Sequence, residues 1–363
     1  MPQKLLAAVK EAIGGYSDPY LGMDLFCADA IECLEVEGGQ VKLDVMLKYP
    51  SDFLKDGIAQ MLKVAIENVE GIGSADVNVN WAVSSHKAHE NLENIKNVKN
   101  IIAVASGKGG VGKSTTSVNL ALALARDGAR VGVLDADIYG PSLGMLMGVA
   151  SDTRPETVQE KFFKPVEALG LQTMSMAYLI TENTPVVWRG PMVSGALQQL
   201  ITQTIWDDLD YLIIDMPPGT GDIQLTLSQK IPVSASVVVT TPQDIALLDA
   251  KKGIEMFNKV NIPVLGVIEN MSMHICGNCG HLEHIFGEGG AEKIAKEFAT
   301  DILGSLPLSK YIREQSDAGK PVVADGDGES EVAQMYINTA RTMAAKLSRL
   351  SAQTIPDIQI SDD

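Results

Sequence analysis

Eight consecutive residues form a glycine-rich pattern suited to holding phosphate groups. The segment from Gly107 to Ser114 reads GKGGVGKS and fits GxxxxGK(S/T). Glycines allow successive backbone N–H groups to point into one concavity, and a helix starting there adds partial positive charge. Lys113 can neutralise phosphate oxygens, and the Ser114 hydroxyl can coordinate Mg²⁺. The pattern predicts an ATP site with the residues Gly107, Lys108, Gly109, Gly110, Val111, Gly112, Lys113, Ser114 and Thr115.

Two acidic segments follow this loop, each directly after a short apolar run. Val131–Leu134 leads into DADIYGPS, which begins at Asp135, and Tyr211–Ile214 leads into DMPPGTGD, which begins at Asp215. Acidic residues at the carboxyl ends of parallel strands lie where open α/β sheets bind ligands. A single Asp after a strand is commonly a helix N-cap. Two such segments behind a phosphate-binding loop favour a role in the nucleotide site.

The chain has four cysteines, and Cys276 and Cys279 form a CxxC pair. Two thiolates do not fill a tetrahedral site or a four-iron cluster, so other residues or a second chain must complete the ligand set. A [4Fe–4S] cluster shared by two copies of the pair is one interpretation. The flanking His274, His281 and His284 make a Cys₂His₂ zinc site a second one, and a redox-active pair is a third.

The elements that must position these residues have the pattern of an α/β fold. Short, continuous apolar runs alternate with helical stretches after residue 99. Continuous apolar runs are typical of parallel strands that are covered by helices on both faces. One strand precedes the phosphate loop and the helix Thr115–Arg126 follows it, which is the context that the motif requires. We therefore predict a mostly parallel-sheet P-loop NTPase domain over residues 99–348. Its predicted strands are Ile101–Ala105, Val131–Leu134, Tyr211–Ile214, Val237–Thr240 and Val264–Ile268.

Residues 1–85 are predicted to form a separate small α/β domain. Apolar residues at helical spacing precede Gly14, and strands and a helix alternate after it. The predicted elements are a helix through Leu5–Ile13, the strands Ala30–Leu34 and Val41–Leu47, the helix Asp56–Val69 and the strand Ala75–Val83. The polar residues 86–98 are predicted to be a linker, and residues 349–363 a disordered tail.

Composition and charge restrict the possible partners. The net charge of −17 opposes binding to nucleic acid phosphates or to anionic membranes. No run of 18 apolar residues is present, and we find no signal-peptide pattern. Few cysteines, two of them in a CxxC pair, suit a reducing compartment. We therefore expect a cytoplasmic protein that binds neither nucleic acid nor membrane.

The second lysine of the loop, Lys108, gives a resemblance to a defined class of P-loop proteins. The segment resembles the deviant Walker A motif of the MinD/ParA/nitrogenase-iron-protein class. This resemblance implies a homodimer in which Lys108 reaches the partner's nucleotide. It also implies that Asp137 orients the attacking water, so that Lys108, Lys113 and Asp137 are the catalytic residues.

The same resemblance assigns roles to four further residues. Asp215 is similar to the Walker B carboxylate near Mg²⁺, and Asp135 is an outer-shell candidate for the same ion. The resemblance implies that the Gly219 N–H approaches the γ-phosphate. It implies that Asn270 contacts adenine, although a simple turn residue is the alternative for Asn270.

The complete set of motifs resembles a narrower family. GKGGVGKST, DADIYGPS, DMPPGTGD and the MSMHICGNCG segment, in this order, resemble the Mrp/ApbC family of iron–sulfur cluster carrier ATPases. The N-terminal unit resembles the MIP18-like domain that often precedes this ATPase. The resemblance implies a homodimer that hydrolyses ATP, binds a labile bridging [4Fe–4S] cluster and passes it to apoproteins. A scaffold would act as the cluster donor.

One departure from that pattern concerns the N-terminal domain. MIP18-like domains often carry a cysteine in a turn after the second strand, but this turn reads Lys48–Asp52 without cysteine. Cys27 and Cys33 lie earlier, and we expect both to be small buried residues. We therefore expect this domain not to bind a cluster. Its separation behind the polar linker suggests instead that it docks client proteins.

Two other functions are compatible with parts of the pattern. A spatial-organiser ATPase of the MinD/ParA kind, with a structural zinc site, is the main alternative. A basic amphipathic helix at the C-terminus would support it, whereas this tail contains Asp357, Asp362 and Asp363. An ATP-driven electron donor is the other alternative, but it would need two cysteines per chain that lie far apart in sequence.

Overall fold

The computed structural model describes residues 2–86, 92–179, 190–276 and 278–350. The described residues divide into two compact units. The first holds residues 2–86 and 344–350, and the second holds residues 92–343. Among the described residues, no helix is both long and apolar enough to cross a membrane.

The first unit is a small α/β unit around a three-stranded sheet. The sheet has the order β3-β4-β5, with β3 and β4 antiparallel and β4 and β5 parallel. The inward side chains of β4 alternate along the strand, so that Val41, Leu43, Val45 and Leu47 are buried. The elements are α1 (Pro2–Gly14), β1 (Ser17–Asp18), β2 (Met23–Asp24), β3 (Ile31–Glu37), β4 (Gln40–Leu47), α2 (Lys55–Glu67) and β5 (Ser74–Trp81).

The two cysteines of the first unit do not have the predicted environment. Cys27 is exposed and Cys33 is partly exposed, so the expectation that both are buried is wrong. Cys27 lies in the turn that Asp24 organises by accepting hydrogen bonds from the N–H groups of Phe26 and Cys27. Cys33 lies on β3, which is an edge strand of the sheet. An edge position leaves a side chain with few neighbours, whatever its apolar character.

The second unit contains the long sheet and the helices around it. Its elements are β6 (Val98–Ala105), α3 (Lys113–Arg126), β7 (Val131–Asp135), α4 (Leu143–Leu146), β8 (Thr157–Val158), β9 (Phe162–Phe163), β10 (Val166–Ala168), β11 (Leu171–Ser175), α5 (Gly190–Gln203), β12 (Leu209–Asp215), α6 (Asp222–Lys230), β13 (Ala235–Thr240), α7 (Asp244–Lys259), β14 (Val264–Ile275), β15 (Leu282–Glu283), α8 (Gly290–Phe298), β16 (Ile302–Leu308), α9 (Lys310–Asp317) and the greater part of α10 (Glu331–Leu350), whose residues 344–350 belong to the first unit. Short 3₁₀ turns lie at Met176–Tyr178 and Gly326–Gly328.

Within the described ranges, nine strands form a mixed but mostly parallel sheet. The order is β10-β11-β7-β12-β6-β13-β14-β15, and β16 also pairs with β14. The pairs from β11 to β14 and the β14–β16 pair are parallel, whereas β10 and β15 are antiparallel. Every residue of β7, β12 and β13 is buried, as expected for strands covered on both faces. The predicted fold class is confirmed.

The register of the sheet places the acidic segments side by side. Asp215 on β12 pairs with Asp135 on β7 and with Val104 on β6. The parallel strands β6, β7 and β12 therefore end together, next to the loop that follows β6. Burying each large aliphatic side chain of these strands contributes about 1.5–3 kcal/mol, which makes this edge a rigid platform.

The predicted segment boundaries differ from the structure at two places. Strand β6 begins at Val98, one residue inside the predicted linker, and α10 continues to Leu350, inside the predicted tail. Residues 87–91 of the linker and residues 351–363 of the tail lie outside the described residues.

Candidate functional site

The phosphate-binding loop joins β6 to α3, as predicted. Gly112 is the N-cap of α3 and has a φ of 81°, which lies in the left-handed region that favours glycine. Gly107 passes so close to α7 that an added Cβ would overlap the backbone of Asp249. The first residue of α3 is Lys113, so the helix N-terminus points at the loop's concavity.

Lys113 and Asp215 form a buried ion pair at the base of the loop. Lys113 Nζ lies 2.7 Å from Asp215 Oδ1, and the two side chains are 6% and 3% exposed. The Ser117 hydroxyl donates to the same carboxylate oxygen at 2.8 Å. Ser114 Oγ lies 3.5 Å from Lys113 Nζ. The lysine, the hydroxyl and the carboxylate predicted to hold phosphate and Mg²⁺ are therefore adjacent.

Asp135 organises the loop that follows β7. Its Oδ1 accepts a hydrogen bond from the Asp137 N–H at 3.0 Å, and its Oδ2 accepts from the N–H groups of Ser142 and Leu143 at 3.0 and 3.1 Å. Burial, and then the negative charge of Asp215, raise the pKa of Asp135 to about 7. The carboxylate fixes the backbone at Asp137, the residue predicted to orient water.

Most of the predicted nucleotide residues line one open cavity of about 420 Å³, whereas Gly107, Val111 and Gly219 are not on its wall. Lys108 and Asp137 lie on its wall together with the loop residues. The described loop residues on the wall are Lys108, Gly109, Gly110, Gly112, Lys113, Ser114 and Thr115. The structure therefore brings together the three predicted catalytic residues, Lys108, Lys113 and Asp137.

One wall of this cavity was not predicted from the sequence. The end of β16 and the helix α9 contribute Leu308, Ser309, Ile312 and Arg313, and Tyr336 of α10 adds a further side chain. The nearest sequence signal is Ser309, whose hydroxyl accepts from the Tyr311 N–H at 3.2 Å and caps α9. A serine N-cap marks a helix start but does not indicate which cavity the helix faces.

Gly219 lies in the loop that follows β12, as predicted. Its φ is 102°, a conformation that favours glycine. Its N–H donates to the Ser106 carbonyl at 3.0 Å, so this donor is occupied by the backbone in this structure. The Gln224 side chain bonds to the Pro217 carbonyl of the same loop. These bonds hold the loop against the residue that precedes the phosphate motif.

Asn270 is buried and lines the nucleotide cavity. Its Nδ2 donates to the Val111 carbonyl of the phosphate loop at 2.8 Å, and its Oδ1 accepts from the Met271 N–H at 3.0 Å. Gly112 makes this contact possible, because an added Cβ there would overlap the Asn270 amide. The side chain therefore fixes the loop backbone, and adenine contact stays a prediction.

The CxxC pair lies in a tight turn after β14. The Cys276 N–H donates to the His281 carbonyl, and the Gly280 N–H donates to the Cys276 carbonyl, both at 2.9 Å. Cys276 is partly exposed and Cys279 is exposed. Hydrogen bonds from the N–H groups of Asn278 and Cys279 lower the pKa of the Cys276 thiol, which favours the thiolate that binds metal.

The flanking histidines are engaged with the backbone. His274 Nδ1 lies 3.0 Å from the Leu308 carbonyl, and His284 Nδ1 lies 2.8 Å from the Ser272 carbonyl. Across the part of the chain that the structure describes, no three or more His, Cys, Asp or Glu side chains are grouped to hold a metal ion. The described residues therefore do not show a preassembled Cys₂His₂ set.

Proteins with similar sequences cover nearly the whole chain. An iron–sulfur cluster carrier protein of Pseudomonas fragi is 64% identical over 282 residues, covering 78% of this chain and 98% of the relative. An iron–sulfur cluster carrier protein of Salmonella typhimurium is 47% identical over 346 residues, covering 95% of this chain and 93% of the relative.

Solved structures support the fold of the second unit. A nucleotide-binding protein from Archaeoglobus fulgidus in complex with ADP is 36% identical, covers 62% of this chain and 88% of its own, and gives a TM-score of 0.55. The cell division ATPase MinD of Pyrococcus furiosus is 22% identical, covers 67% of this chain and 98% of its own, and gives a TM-score of 0.51. The MinD likeness extends to the fold alone.

Two family models match separate parts of the chain. Residues 6–79 match the model described as iron–sulfur cluster assembly protein. Residues 97–344 match the model described as NUBPL iron-transfer P-loop NTPase. The second match spans the phosphate loop, both acidic segments and the CxxC turn. The chain therefore belongs to the family of NUBPL iron-transfer P-loop NTPases.

Proposed function

We propose that this protein is an ATP-hydrolysing carrier of iron–sulfur clusters. A homodimer binds a labile [4Fe–4S] cluster as cargo, receives it from a donor scaffold and transfers it to apoproteins. The observation that carries this proposal is the partly exposed thiol pair of Cys276 and Cys279, in a chain of the iron-transfer family. The two named carriers that cover most of this chain support the same function.

The nucleotide reaction is phosphoryl transfer from ATP to water. Lys113 neutralises phosphate oxygens, since its ammonium group has three N–H donors and its contact with Asp215 uses only one of them. Asp137, whose N–H is bound to Asp135, orients the attacking water. Lys108 lies on the cavity wall and adds charge at the partner's nucleotide when two chains face each other. The charges of these lysines stabilise the transition state.

Magnesium is the ion whose ligand chemistry fits this site. Mg²⁺ prefers oxygen ligands and keeps several waters. Ser114 Oγ and the Asp215 carboxylate supply oxygen close to the loop, and Asp135 supplies a second carboxylate beside Asp215. We propose that Ser114 and Asp215 hold the ion with Asp135 in the outer shell. When bound, the ion neutralises charge on the β- and γ-phosphates.

The cysteine turn supplies two of the four thiolates that a cubane cluster requires. We propose that the same turn of a second chain supplies the other two thiolates, as the family resemblance implies. Among the described residues, no group of three or more His, Cys, Asp or Glu side chains offers an alternative ligand set. Exposure of both thiols suits a cluster that is handed on, since a resident cofactor is normally enclosed. The reducing environment that free thiolates need fits the cytoplasm.

The test is anaerobic reconstitution of the full chain with iron and sulfide. Iron, sulfide and zinc are measured per chain, together with charge-transfer absorption and molecular mass in solution. The matched variant replaces both cysteines of the turn, Cys276→Ala and Cys279→Ala, and the control replaces both remaining cysteines, Cys27→Ala and Cys33→Ala. We expect about two irons per chain in a dimer, retained in the control and lost in the turn variant. Tightly bound zinc without cluster uptake would overturn the proposal.

A further inference from the structure

Strand β14 contacts the nucleotide cavity midway along its length and leads directly to the thiol pair. Asn270 and Met271 line the cavity. The strand ends at Ile275, and Cys276 is the next residue. Cys276 is therefore six positions after Asn270 and five after Met271, along one continuous segment of backbone.

Asn270 connects this strand to the phosphate loop. Its Nδ2 donates to the Val111 carbonyl at 2.8 Å, and the side chain is only 5% exposed. Gly112 leaves no room for a side chain beside this amide. Val111 and Gly112 belong to the loop that wraps phosphate, so any change of the loop on nucleotide binding acts on the partner atoms of Asn270.

The strand is irregular at the point of this contact. Glu269 pairs with Ser305 of β16, and Met273 pairs with Pro307. The two paired residues are therefore four positions apart on β14 but only two positions apart on β16. Residues 270–272 therefore form a bulge. Met271 within it has a φ of 57°, a conformation that residues other than glycine rarely adopt. A bulge lets the two ends of a strand change direction relative to each other.

The bulge is bonded to β16 and to a residue that follows the thiols. Before the thiols, the Ser272 hydroxyl donates to the Leu306 carbonyl at 3.1 Å. After the thiols, His284 Nδ1 bonds to the Ser272 carbonyl at 2.8 Å. A shift of Ser272 consequently acts on Cys276 through the backbone that precedes it and on His284 through the hydrogen bond.

We propose that Asn270 and the bulge 270–272 transmit the nucleotide state of the phosphate loop to the thiol pair. Asn270 is a positioning residue that acts through β14 on Cys276. A change in the position of the Val111 carbonyl shifts Asn270 through their hydrogen bond. The bulge passes this shift along β14 and so changes the exposure of the thiols. The purpose of this coupling rests on the proposed carrier function, but its test does not require a bound cluster.

The test measures alkylation of the cluster-free, full-length chain. Iodoacetamide labelling of Cys276 is followed by mass spectrometry with and without saturating Mg²⁺–ATP, and Cys27 serves as an internal reference. We expect ATP to change the Cys276 rate about fivefold or more, the lower end of typical coupling between sites, with no change at Cys27. In Asn270→Ala the change falls below about twofold at nucleotide concentrations shown by direct titration to saturate the variant.

Two further variants make the result specific. Asn100→Ala is the matched control, because Asn100 is also buried and its Nδ2 donates to a backbone carbonyl, that of Asp210, at 3.2 Å. It should retain the full nucleotide effect. Met271→Gly tolerates the positive φ, so it preserves the fold, but it loosens the bulge and should also weaken the effect.

Two outcomes would overturn the inference. One is a Cys276 rate in the unmodified chain that saturating nucleotide does not change. The other is a full nucleotide effect in Asn270→Ala with nucleotide bound. Failure of the proposed function has a different signature, namely no cluster uptake on reconstitution, and it leaves the alkylation result interpretable.

Discussion

Lys113 and Asp215 lie 102 positions apart in the chain and 2.7 Å apart in the structure. Their separate roles could be predicted, because each residue belongs to a motif that requires its chemistry. Their mutual contact could not be predicted, since it depends on the register of β12 against β6. The same limit applies to Asn270, whose bond to Val111 joins residues 159 positions apart.

Removing the lysine of this pair should destabilise the nucleotide-free protein. Lys113→Met leaves the Asp215 carboxylate buried without its cation, which costs about 3–5 kcal/mol of unfolding free energy. Urea denaturation without nucleotide measures this loss, and a titration should show that ATP binding is lost too. The double variant Lys113→Met with Asp215→Asn is the control and should recover part of the stability. Equal stability of Lys113→Met and the unmodified chain would contradict the buried pair.

The raised pKa of Asp135 predicts a pH dependence of stability. An unfolded Asp ionises near its ordinary value of 3.8, whereas burial keeps Asp135 protonated up to about pH 7. Above the ordinary pKa, the unfolded state gains by ionising, so the contribution of Asp135 to stability falls until about pH 7 and is then constant. The slope is at most about 1.4 kcal/mol per pH unit for one proton.

Urea denaturation between pH 5.5 and pH 8 checks this dependence. The difference in unfolding free energy between the unmodified chain and Asp135→Asn should decrease up to about pH 7 and then level off. A difference that is constant across the whole range would show that Asp135 is already ionised in the folded protein at pH 5.5.

At the scale of elements, the sequence predicts the buried strands but not the wall of the nucleotide cavity that the end of β16 and the helix α9 form. The strands Tyr211–Ile214 and Val237–Thr240 are predictable because doubly covered strands are continuous apolar runs. The structure extends the first by three residues and the second by two. Strand β14 runs seven residues beyond its predicted end, because its second half contains the polar residues Asn270, Ser272 and His274. Polarity there reflects contacts with the cavity and β16, which no local pattern indicates.

The turn that contains the thiol pair should make its first cysteine unusually reactive. Backbone N–H groups lower the pKa of Cys276, whereas hydrogen bonding to Asp24 and its charge raise the pKa of Cys27. Near neutral pH, iodoacetamide should therefore modify Cys276 faster than Cys27, although Cys27 is the more exposed. Peptide mass spectrometry over time gives both rates.

The variant Asp24→Asn provides the control for that comparison. It removes the charge that raises the Cys27 pKa, so it should accelerate Cys27 and leave Cys276 unchanged. Faster modification of Cys27 than of Cys276 in the unmodified chain would show that exposure outweighs the effect of the turn.

At the scale of the whole molecule, each unit has its own sheet, and each matches its own family model. The predicted division rests on the polar segment that separates two patterned regions. The predicted docking role of the first unit rests on its separation from the second by this polar segment. The absence of a cysteine in the turn Lys48–Asp52 predicts that the unit does not bind a cluster. A unit without that ligand can still present a client-binding surface.

Deleting residues 1–98 should separate client docking from cluster binding. The shortened chain should bind the same amount of iron per chain on reconstitution, because Cys276 and Cys279 remain. Its transfer rate should fall for some apoprotein acceptors and be unchanged for others. Iron content and transfer kinetics measured on the same preparations decide this, and loss of cluster binding in the shortened chain would contradict a docking role.

The most direct test of the carrier function is cluster transfer to an apoenzyme whose activity requires a [4Fe–4S] cluster. The reconstituted full chain is mixed anaerobically with this acceptor in the presence of an iron chelator, with and without Mg²⁺–ATP. We predict that acceptor activity appears despite the chelator, that its rate depends on ATP, and that the chain lacking both turn cysteines gives none. Activation that the chelator abolishes, or that free iron and sulfide reproduce at the same rate, would contradict the carrier function.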